Sequence, residues 1–346
     1  MEEVKHVRRK RYSGKYPKKF EEKYKELNPE KYADTIEHVI AKGSTPAGMH
    51  ISIMVQEILD SLDIKPGERG LDCTFGYGGH TSAMIEKLQG QGHMTSLDVD
   101  LEESAKTLKR LRDKGYGEDI LTLVNTNFAN IDEVAAAHGK FDFILADLGV
   151  SSMQIDNPAR GFSYKIDGPL DLRMDQSKGV TAAERLKELD EDELEGMLIE
   201  NSDEPYAAEI ASTIVRLNKS GKSIETTVDL KNAVEKALWK LPKEEKDEAI
   251  KKSCARVFQA IRIDINHEYE ALYSLLEKLP ECMNEGGRVV FLTFHSGEDR
   301  LVKKMFKEYK KQGIFSEIND DVIRPSAAEC NINPRAKSTK LRWAIK

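Results

Sequence analysis

The chain has 346 residues, of which 39% are hydrophobic and 33% charged, with a formal net charge of −7; it is long enough for two domains or one large elaborated domain, and its composition is not that of a disordered chain. It has no run of about 18 apolar residues and no apolar stretch after its N-terminal charges, so we expect neither a membrane span nor a secretory signal, and we predict a cytoplasmic protein. Its four cysteines, Cys73, Cys254, Cys282 and Cys330, form no Cys-x-x-Cys pair, which argues against a zinc cage and a disulfide framework.

The charges are distributed unevenly along the chain. Residues 1–25 carry ten Lys/Arg and four Asp/Glu, whereas residues 184–204 contain ten acids. The last twelve residues contain no acid and five cations: Arg335, Lys337, Lys340, Arg342 and Lys346. Basic ends on an acidic body are typical of a protein that binds a polyanion, although solvated tails would show the same charges. Within the N-terminal tract, Tyr12, Tyr16 and Phe20 are suited to stacking on unpaired bases.

Helix and strand patterns alternate in the first half of the chain. Apolar residues at helical spacing predict helices, and short apolar runs bounded by turn residues predict strands. The predicted elements are a helix over 53–62, a strand over 70–73, a glycine-rich turn over 75–80, a helix over 81–88, a strand over 93–98, a helix over 101–111, and strands over 120–124 and 141–147. Strands that alternate with helices indicate βαβ units and a parallel sheet.

The alternation stops after Asp147, where a loop-like stretch is followed by charged helices over 181–252. The later predicted elements are a long helix over 257–279, a strand over 287–294, a helix over 301–309 and a closing strand over 341–345. The simplest organisation has three parts: a basic N-terminal extension (1–44), a Rossmann-like domain (45–150 and 255–346) and a mainly helical insertion domain for substrate recognition (151–254).

A glycine-rich turn, Phe75-Gly76-Tyr77-Gly78-Gly79-His80, follows the first predicted strand. Glycines allow the backbone to turn tightly and to approach a ligand closely, and ligands bind at the carboxyl ends of strands in such sheets. The dinucleotide fingerprint G-x-G-x-x-G requires a third glycine where this sequence has Thr81, so a nicotinamide cofactor is not favoured. An ordinary βα turn remains the plain alternative.

Two carboxylates stand at the ends of predicted strands. Asp98 ends the second strand, 20 residues after Gly78, where a carboxylate can accept both hydroxyls of a ribose. Asp147 ends the fourth strand, across the expected crevice. Together with the glycine turn, these acids resemble the S-adenosyl-L-methionine (SAM) pocket of class I methyltransferases, which implies a Rossmann-like, mostly parallel sheet.

The sequence also narrows the atom that would accept a methyl group. Carbon-5 of a pyrimidine requires a cysteine nucleophile, but the usual Pro-Cys pair is absent and Cys73 lies within the first strand and turn, as expected of a core residue. An exocyclic amine requires only hydrogen bonds that free its lone pair. The fourth strand continues as DLGVSS over 147–152 instead of the [DNS]-P-P-[YFW] motif, so the common DNA amine-methylase pattern is excluded while amine chemistry stays open.

Several ordered segments carry a more specific signal. They are DCTFGYGGH (72–80), ADLGVSS (146–152), RGFSY (160–164), DGPLDLRMD (167–175), FQAIRI (258–263), FHSGEDR (294–300) and NPRAKSTKLR (333–342). With these segments, the chain from His50 onward resembles the bacterial 16S rRNA (cytosine-N4)-methyltransferase family called RsmH or MraW.

The resemblance implies SAM-dependent methylation of the exocyclic N4 of a decoding-site cytidine in 16S rRNA, within the small ribosomal subunit. By position it implies SAM contacts at Gly78, Gly79, His80, Asp98, Phe128, Asp147 and Gln154. Asp147 is the predicted catalytic residue, because its carboxylate, or a backbone carbonyl in 147–152, would accept a hydrogen bond from N4. The alternatives to a SAM contact are a core role for Phe128 and a helix-opening role for His80. A homodimer is left open.

Candidate RNA contacts follow from the same segments. Their residues are Arg160, Arg173, His295, Arg335, Lys337 and Lys340. Arg160 and Arg173 are predicted either to bind phosphate or to form salt bridges. His295 is predicted either to contact the substrate or to make a structural hydrogen bond. Asp171 and Asp175 lack the spaced ligand set of an EF-hand, so no metal is predicted.

Three features depart from the resembled family. Met153 replaces a proline, Gly297 replaces a leucine, and 49 residues precede His50 where typical members have few. The alternatives are therefore a SAM-dependent methyltransferase acting on another RNA, on DNA or on a protein, and a SAM-binding rRNA-associated factor without catalysis. A nicotinamide dehydrogenase is a distant third.

Overall fold

The computed structural model describes residues 52–346, so the basic extension predicted over 1–44 and its aromatic residues lie outside the described residues. The described chain contains one sheet, whose strands are Arg69–Asp72 (β1), His93–Leu97 (β2), Leu121–Val124 (β3), Phe141–Asp147 (β4), Met283–Thr293 (β5), Glu317–Ile318 (β6) and Lys340–Ile345 (β7). Their order is β3-β2-β1-β4-β5-β7-β6. Neighbours among β1 to β5 are parallel, and β7 runs antiparallel to β5 and β6. The predicted Rossmann-like, mostly parallel fold class is confirmed.

Helices connect these strands and cover the sheet. They are Val55–Leu62 (α1), Gly79–Leu88 (α2), Leu101–Asp113 (α3), Ile131–His138 (α4), Ser152–Asp156 (α5), Ala182–Glu188 (α6), Glu191–Ser202 (α7), Ala207–Lys219 (α8), Thr227–Ala237 (α9), Lys243–Asn266 (α10), Glu268–Cys282 (α11), Ser296–Lys311 (α12) and Ala327–Ile332 (α13). None of the helices in the described part of the chain combines the length and apolar character that a membrane span requires.

The sheet is covered by two apolar layers. One layer contains side chains of α1, α2 and α3, such as Ile58, Met84 and Leu111, packed on β-strand residues. The other contains side chains of α4, α11 and α12, such as Leu275 and Phe306. Coverage of both faces is what a parallel sheet with crossover helices requires, because its strands are apolar on both sides.

The strand order reverses between β1 and β4. From β1 the chain proceeds outward through β2 to β3 and then returns to form β4 on the other side of β1. Asp72 pairs in register with Leu145 at this junction. A Cβ on Gly70 would lie 2.1 Å from the Phe143 ring, so glycine permits the close packing of these two strands. Crevices at such switch points, outside the carboxyl ends of the strands, are where ligands bind in open α/β sheets.

The helices α6 to α10 lie in sequence between β4 and β5 and form a hydrophobic cluster of their own. Its buried members include Leu186, Leu198, Ile214, Leu230 and Val257. The insertion domain predicted over 151–254 stays a prediction. Its C-terminal boundary, between residues 254 and 255, falls inside the continuous helix α10.

One predicted element is wrong in detail. The helix predicted over 257–279 is two helices, α10 and α11, because His267 between them adopts a left-handed conformation with φ of 50°. A left-handed residue ends a helix by redirecting the backbone N–H groups that would continue it, and the N–H of His267 donates to the carbonyl of Asp264.

Candidate functional site

The carboxyl ends of β1 and β4 are joined by side-chain hydrogen bonds. Oγ1 of Thr74 accepts a hydrogen bond from the backbone N–H of Asp147 at 2.8 Å, and the backbone N–H of Thr74 donates to Oδ1 of Asp72 at 3.0 Å. The hydroxyl of Thr81 donates to the other oxygen of Asp72 at 2.6 Å. Asp72 is fully buried, and burial raises the pKa of its carboxyl group although these donors oppose the shift. The network fixes the position of Asp147 at the switch point.

The glycine-rich turn packs tightly against its surroundings. Gly78 has φ of 66°, and a Cβ there would lie 2.9 Å from Cδ1 of Leu111. A Cβ on Gly79 would lie 2.0 Å from Oγ of Ser52. The left-handed backbone and the close contact favour glycine at 78, whereas a Cβ at 79 would require the Ser52 side chain to move. Their predicted role in SAM binding stays a prediction, and they open α2, whose first turn carries backbone N–H groups without partners within the helix.

Asp98 follows β2 and is held by the backbone. Its Oδ2 accepts the N–H of Gly76 and its Oδ1 the N–H of Asp100, each at 2.8 Å. Burial raises the pKa of Asp98 to about 6, although the two hydrogen bonds oppose the shift. Each oxygen has a second lone pair. The carboxylate can therefore accept hydroxyl groups of a ligand without giving up its contacts to the glycine turn.

Asp100, two residues further on, connects three segments. Its Oδ1 caps α3 by accepting the N–H of Glu103, and its Oδ2 accepts Nε2 of Gln154 at 3.2 Å and Nη1 of Arg160 at 2.6 Å. Gln154 also accepts the N–H of Ser151 in a capping box at the start of α5. The loop after β4 is thereby attached to the loop after β2, on opposite sides of the switch point.

Arg160 and Arg173, two of the candidate RNA contacts, form ion pairs. Arg160 is 7% exposed and bonds to Asp100, which is the salt bridge given as the alternative to a phosphate contact. Arg173 donates Nε and Nη2 to the two oxygens of Asp171 at 2.7 and 2.9 Å. Their phosphate contacts stay predictions, but little of the Arg160 side chain is accessible to RNA.

Asp147 and His80 face each other at the crevice. Nδ1 of His80 lies 3.4 Å from Oδ2 of Asp147, and Nε2 of His80 lies 2.9 Å from the carbonyl oxygen of Ile53. Oδ1 of Asp147 is buried and has no hydrogen-bond partner among the described residues. Burial raises the pKa of Asp147 to about 6, with Asp72 and Glu298 adding to the rise and His80 opposing it. A buried carboxylate oxygen without a partner is costly unless a ligand supplies a donor.

The remaining SAM candidate, Phe128, begins a short 3-10 turn at Phe128–Asn130, just after β3. It is half-buried and packs against the apolar layer of α4, α11 and α12, so it combines a core contact with an accessible part of the ring. These residues fit SAM as a group. Asp98 can accept ribose hydroxyls, the glycine turn allows close backbone approach, and the free oxygen of Asp147 lies across the crevice.

Cys73 is buried within the apolar layer of α4, α11 and α12. Burial raises the pKa of its thiol well above the usual range, so the thiolate required of a nucleophile is disfavoured. The expected core role of Cys73 agrees with this position. Within the described residues, all four cysteines are free thiols.

His295 caps α12 and lies among charged groups. Its Nδ1 accepts the N–H of Glu298, and its Nε2 lies 3.1 Å from Oε1 of that residue. Glu268, Glu298 and His295 bring potential ligand atoms within 4.8 Å of one another. However, Arg262 donates to both oxygens of Glu268, and an Nδ1 that accepts leaves the hydrogen on Nε2. The set therefore suits a network of ion pairs better than a metal ion, and Nε2 of His295 is buried without a hydrogen-bond partner among the described residues. The observed contacts of His295 are structural, and its substrate contact stays a prediction.

The basic C-terminal segment is partly engaged in ion pairs. Arg335 pairs with Asp156 at 2.8 Å, and Lys340 pairs with Asp299 at 2.7 Å, whereas Lys337 is exposed. The RNA contacts predicted for these three residues stay predictions, with Lys337 the most accessible.

Sequence reasoning missed Thr74 and Asp100 as organising residues of the site. Thr74 stands within the quoted glycine-turn segment and Asp100 within the Asp-x-Asp after β2, so the signal was present. Their hydrogen bonds reach 73 and 60 residues along the chain, to Asp147 and Arg160, and such partners cannot be read from local pattern.

Comparison with known proteins supplies a family. A family model described as the MraW methylase family matches residues 47–346. The ribosomal RNA small subunit methyltransferase H 1 of Lachnoclostridium phytofermentans is 64% identical over 341 residues, covering 99% of this chain and 93% of that protein. The protein of the same name from Agathobacter rectalis is 63% identical over 345 residues, covering 100% of this chain and 99% of that protein.

A third relative is shorter. The ribosomal RNA small subunit methyltransferase H of Clostridioides difficile is 36% identical over 314 residues, which cover 86% of this chain and 98% of that protein. The long N-terminus is therefore shared with the first two relatives.

Proposed function

The chain belongs to the MraW methylase family, and from that membership and the geometry of the crevice we propose that it methylates the exocyclic N4 of a decoding-site cytidine in 16S rRNA. It is a SAM-dependent methyltransferase of small-subunit ribosomal RNA. SAM, when bound, supplies a methyl group on a sulfonium. The small ribosomal subunit in the cytoplasm is the proposed setting of the reaction, and a homodimer stays a prediction.

The chain's own residues would hold the reactants in line. Asp98 would accept the ribose hydroxyls, and the turn from Gly76 to Gly79 would allow the backbone to approach the ligand. Gln154, held by Asp100, would position the loop after β4 over the crevice. Methyl transfer is an in-line displacement, so most of the rate gain comes from orientation and from excluding water. The target cytosine would leave its stack to enter the crevice.

The observation that carries the amine as target is the free oxygen of Asp147. Oδ1 is buried and has no hydrogen-bond partner among the described residues, while Thr74 fixes the backbone of the same residue. The side chain as a whole is 22% exposed, so a small rotation of the carboxylate would bring this oxygen to the crevice, where an amino group would supply the donor that it lacks. A hydrogen bond from N4 to Oδ1 would draw the nitrogen lone pair out of conjugation with the ring and turn it toward the methyl group.

The test is methylation of purified small subunits with labelled SAM, followed by nucleoside mass analysis, with free 16S rRNA as a second substrate. We expect N4-methylated cytidine from the wild-type chain. We expect Asp147→Ala to lose product even at SAM concentrations that saturate its binding. Asp142→Asn is the matched control, because Asp142 lies at the opposite end of β4 and bonds to Arg69 and Asn284.

Other results would change the assignment. Near-normal turnover by Asp147→Ala would remove Asp147 from catalysis, and lost SAM binding would make it a cofactor residue only. SAM binding without methylated cytidine would direct the search to another substrate.

We also propose that the helices between β4 and β5 contribute to RNA recognition. Trp239, between α9 and α10, is 63% exposed, and Lys240 lies 5.6 Å from its ring. Lys236, Lys240 and Lys243, which are close to Trp239 in sequence, are exposed. An exposed aromatic ring among cations suits an unpaired base and its phosphates.

The acidic part of the same helices is unsuited to RNA. A cavity between α7 and α10 is lined by Asp192, Glu193, Glu200 and Asp264, of which Asp264 forms an ion pair with Arg185. Because phosphates would be repelled there, the acidic segment over 184–204 should face solvent or a basic ribosomal protein. RNA would then approach from the side of Trp239.

A further inference from the structure

His80 is placed between the protein backbone and the carboxylate of Asp147. Its ring is 7% exposed, with Nε2 at 2.9 Å from the carbonyl oxygen of Ile53 and Nδ1 at 3.4 Å from Oδ2 of Asp147. Ile53 lies just before α1, and His80 lies in the first turn of α2. The imidazole therefore bridges a fixed acceptor and the residue that is proposed to contact the substrate amine.

The contacts of the His80 ring show which of its two nitrogens carries a hydrogen. A carbonyl oxygen can only accept, so Nε2 of His80 carries a hydrogen. In a neutral ring, Nδ1 then has only its lone pair, which would face the lone pairs of Oδ2 of Asp147. At 3.4 Å the two atoms are in contact but farther apart than in a charge-assisted hydrogen bond. One proton placed between them would replace this repulsion by attraction and draw the atoms together, so the arrangement is suited to a pair that takes up one proton.

We propose that His80 is a positioning residue for proton transfer: it shares one proton with Asp147 and thereby keeps Oδ1 of Asp147 as the acceptor of the proton that the substrate amine releases. The inference rests on the proposed methylation of an amine. It assigns to the His80 side chain a task separate from SAM binding, which the backbone of the same residue can serve.

The proposed step balances in atoms and charge. The lone pair of N4 forms the new carbon–nitrogen bond while the carbon–sulfur bond breaks, and its electron pair stays on sulfur. The positively charged N4 then loses one proton to Oδ1 of Asp147: an N–H bond breaks, its electrons stay on nitrogen, and an O–H bond forms. The shared proton moves fully onto Nδ1 of His80. The pair therefore changes from neutral to singly positive, and it releases the extra proton to solvent after the product leaves.

Other charged groups face the pair from each neighbouring element. Asp72 lies at the end of β1 and Glu298 in the first turn of α12, and both interact with the charge of Asp147. Burial alone would raise the pKa of Glu298, but His295 and the N–H of Phe294 outweigh it and hold the pKa below its usual value. Glu298 therefore stays ionised and stabilises the positive charge that the pair acquires.

The shared proton can be tested without substrate or cofactor. Histidine rings are labelled with ¹⁵N, and the resonances of His80 are those that disappear in His80→Gln. We expect Nδ1 of His80 to resonate between the positions of a bare and a protonated ring nitrogen at neutral pH. In Asp147→Asn, the amide would donate to Nδ1, and the resonance should move to that of a bare nitrogen. Identical spectra for the wild-type chain and Asp147→Asn would overturn the shared proton.

Kinetics test the consequence for catalysis. Because the charge of His80 lowers the pKa of Asp147, its removal in His80→Gln should move the acid limb of the kcat profile to higher pH. We expect kcat at pH 7 to fall by about tenfold or more, less than the roughly 10²–10⁴-fold of complete loss of general acid–base catalysis because Asp147 remains, with little change in KM for SAM. His93→Gln is the matched control, since His93 lies at the start of β2 and bonds to Asp119 and Thr122.

The outcomes separate this inference from the proposed function. An unchanged kcat and pH profile in His80→Gln, or a raised KM for SAM with unchanged kcat, would overturn the proton role. If the wild-type chain produces no methylated cytidine, the proposed function fails, while the ¹⁵N spectra still decide whether the proton is shared.

Discussion

Gly297 stands where the resembled family has leucine, and its surroundings explain the exchange. A Cβ at this position would lie 1.9 Å from the hydroxyl oxygen of Tyr269 and 2.7 Å from Cζ of the same ring. The hydroxyl of Tyr269 lies 3.4 Å from the backbone oxygen of Asn201 in α7, and its ring meets that of His295 edge-on at 5.9 Å. Tyr269 thus occupies the space that a side chain at 297 would need, and it connects α11 to α7.

We predict that Gly297→Leu destabilises the protein by about 1–3 kcal/mol, the usual cost of forcing extra atoms into a packed region. Adding Tyr269→Ala should recover part of this loss, because the two side chains compete for one space. Urea unfolding of the wild-type chain, the single variants and the double variant measures the coupling. Additive effects would contradict the explanation.

A second glycine provides the control for this series. Gly196 lies inside α7, and a Cβ there would meet nothing within 4 Å. Gly196→Ala should stabilise the protein by about 0.5–1 kcal/mol, because alanine is favoured over glycine in a helix.

At the same scale, the sequence predicted where the acidic groups of the site lie but not how they are held. Asp98 and Asp147 could be placed because the carboxyl ends of parallel strands meet at one edge of the sheet. The bond from Gly76 to Asp98 and the contact of His80 with Asp147 depend on tertiary distances that no local pattern encodes.

At the scale of elements, the strands of the core were predicted well because each is a short apolar run bounded by turn residues. The two-residue strand β6 and the short helices α4, α5 and α13 were missed, since none of them is long enough to show a clear period. The long helix after residue 257 was wrongly predicted as continuous because α10 and α11 both bury apolar residues at helical spacing. The left-handed turn at His267 has no glycine to mark it.

Arg160 connects the loop after β2 to the long loop after β4. Its guanidinium bonds to Asp100 after β2 and to the carbonyl oxygens of Arg173 and Met174 in the long loop after β4. The side chains of Arg160 and Asp100 are 8% and 6% exposed. Loss of one partner of such a buried pair leaves the other charge without compensation.

We predict that Arg160→Met destabilises the protein by about 3–5 kcal/mol, as expected for breaking a buried ion pair, and weakens SAM binding by loosening Gln154. Arg300→Met is the control: Arg300 and Asp203 are 64% and 60% exposed, so their pair should contribute about 1 kcal/mol or less. Urea unfolding and SAM titration measure both effects. Unchanged stability with weakened RNA binding would instead support a phosphate contact for Arg160.

At the scale of the whole molecule, charge is separated along the chain. The first 25 residues carry an excess of cations, while the segment 184–204 is strongly acidic. The lysines near Trp239, at 236–243, are separated from this acidic segment in sequence by α8 and most of α9, and they lie where α9 ends and α10 begins. Such a distribution allows RNA to be oriented as well as attracted, because one part of the molecule attracts phosphates and another repels them.

The two proposed RNA contacts should therefore leave different signatures in the salt dependence of subunit binding. A chain that lacks residues 1–40 should bind more weakly and with a flatter dependence on salt, by a slope of about 0.7 for each lost phosphate contact to single-stranded RNA. Trp239→Ala should also bind more weakly, but with an unchanged slope, because stacking releases no counterions. Binding isotherms of small subunits at several salt concentrations measure both quantities. Tyr273→Ala, which removes another exposed aromatic ring, on α11, is the control and should match the wild-type chain. Equal slopes for the full and truncated chains would mean that the N-terminal cations do not contact phosphate, and equal affinity for Trp239→Ala and Tyr273→Ala would remove Trp239 from the RNA interface.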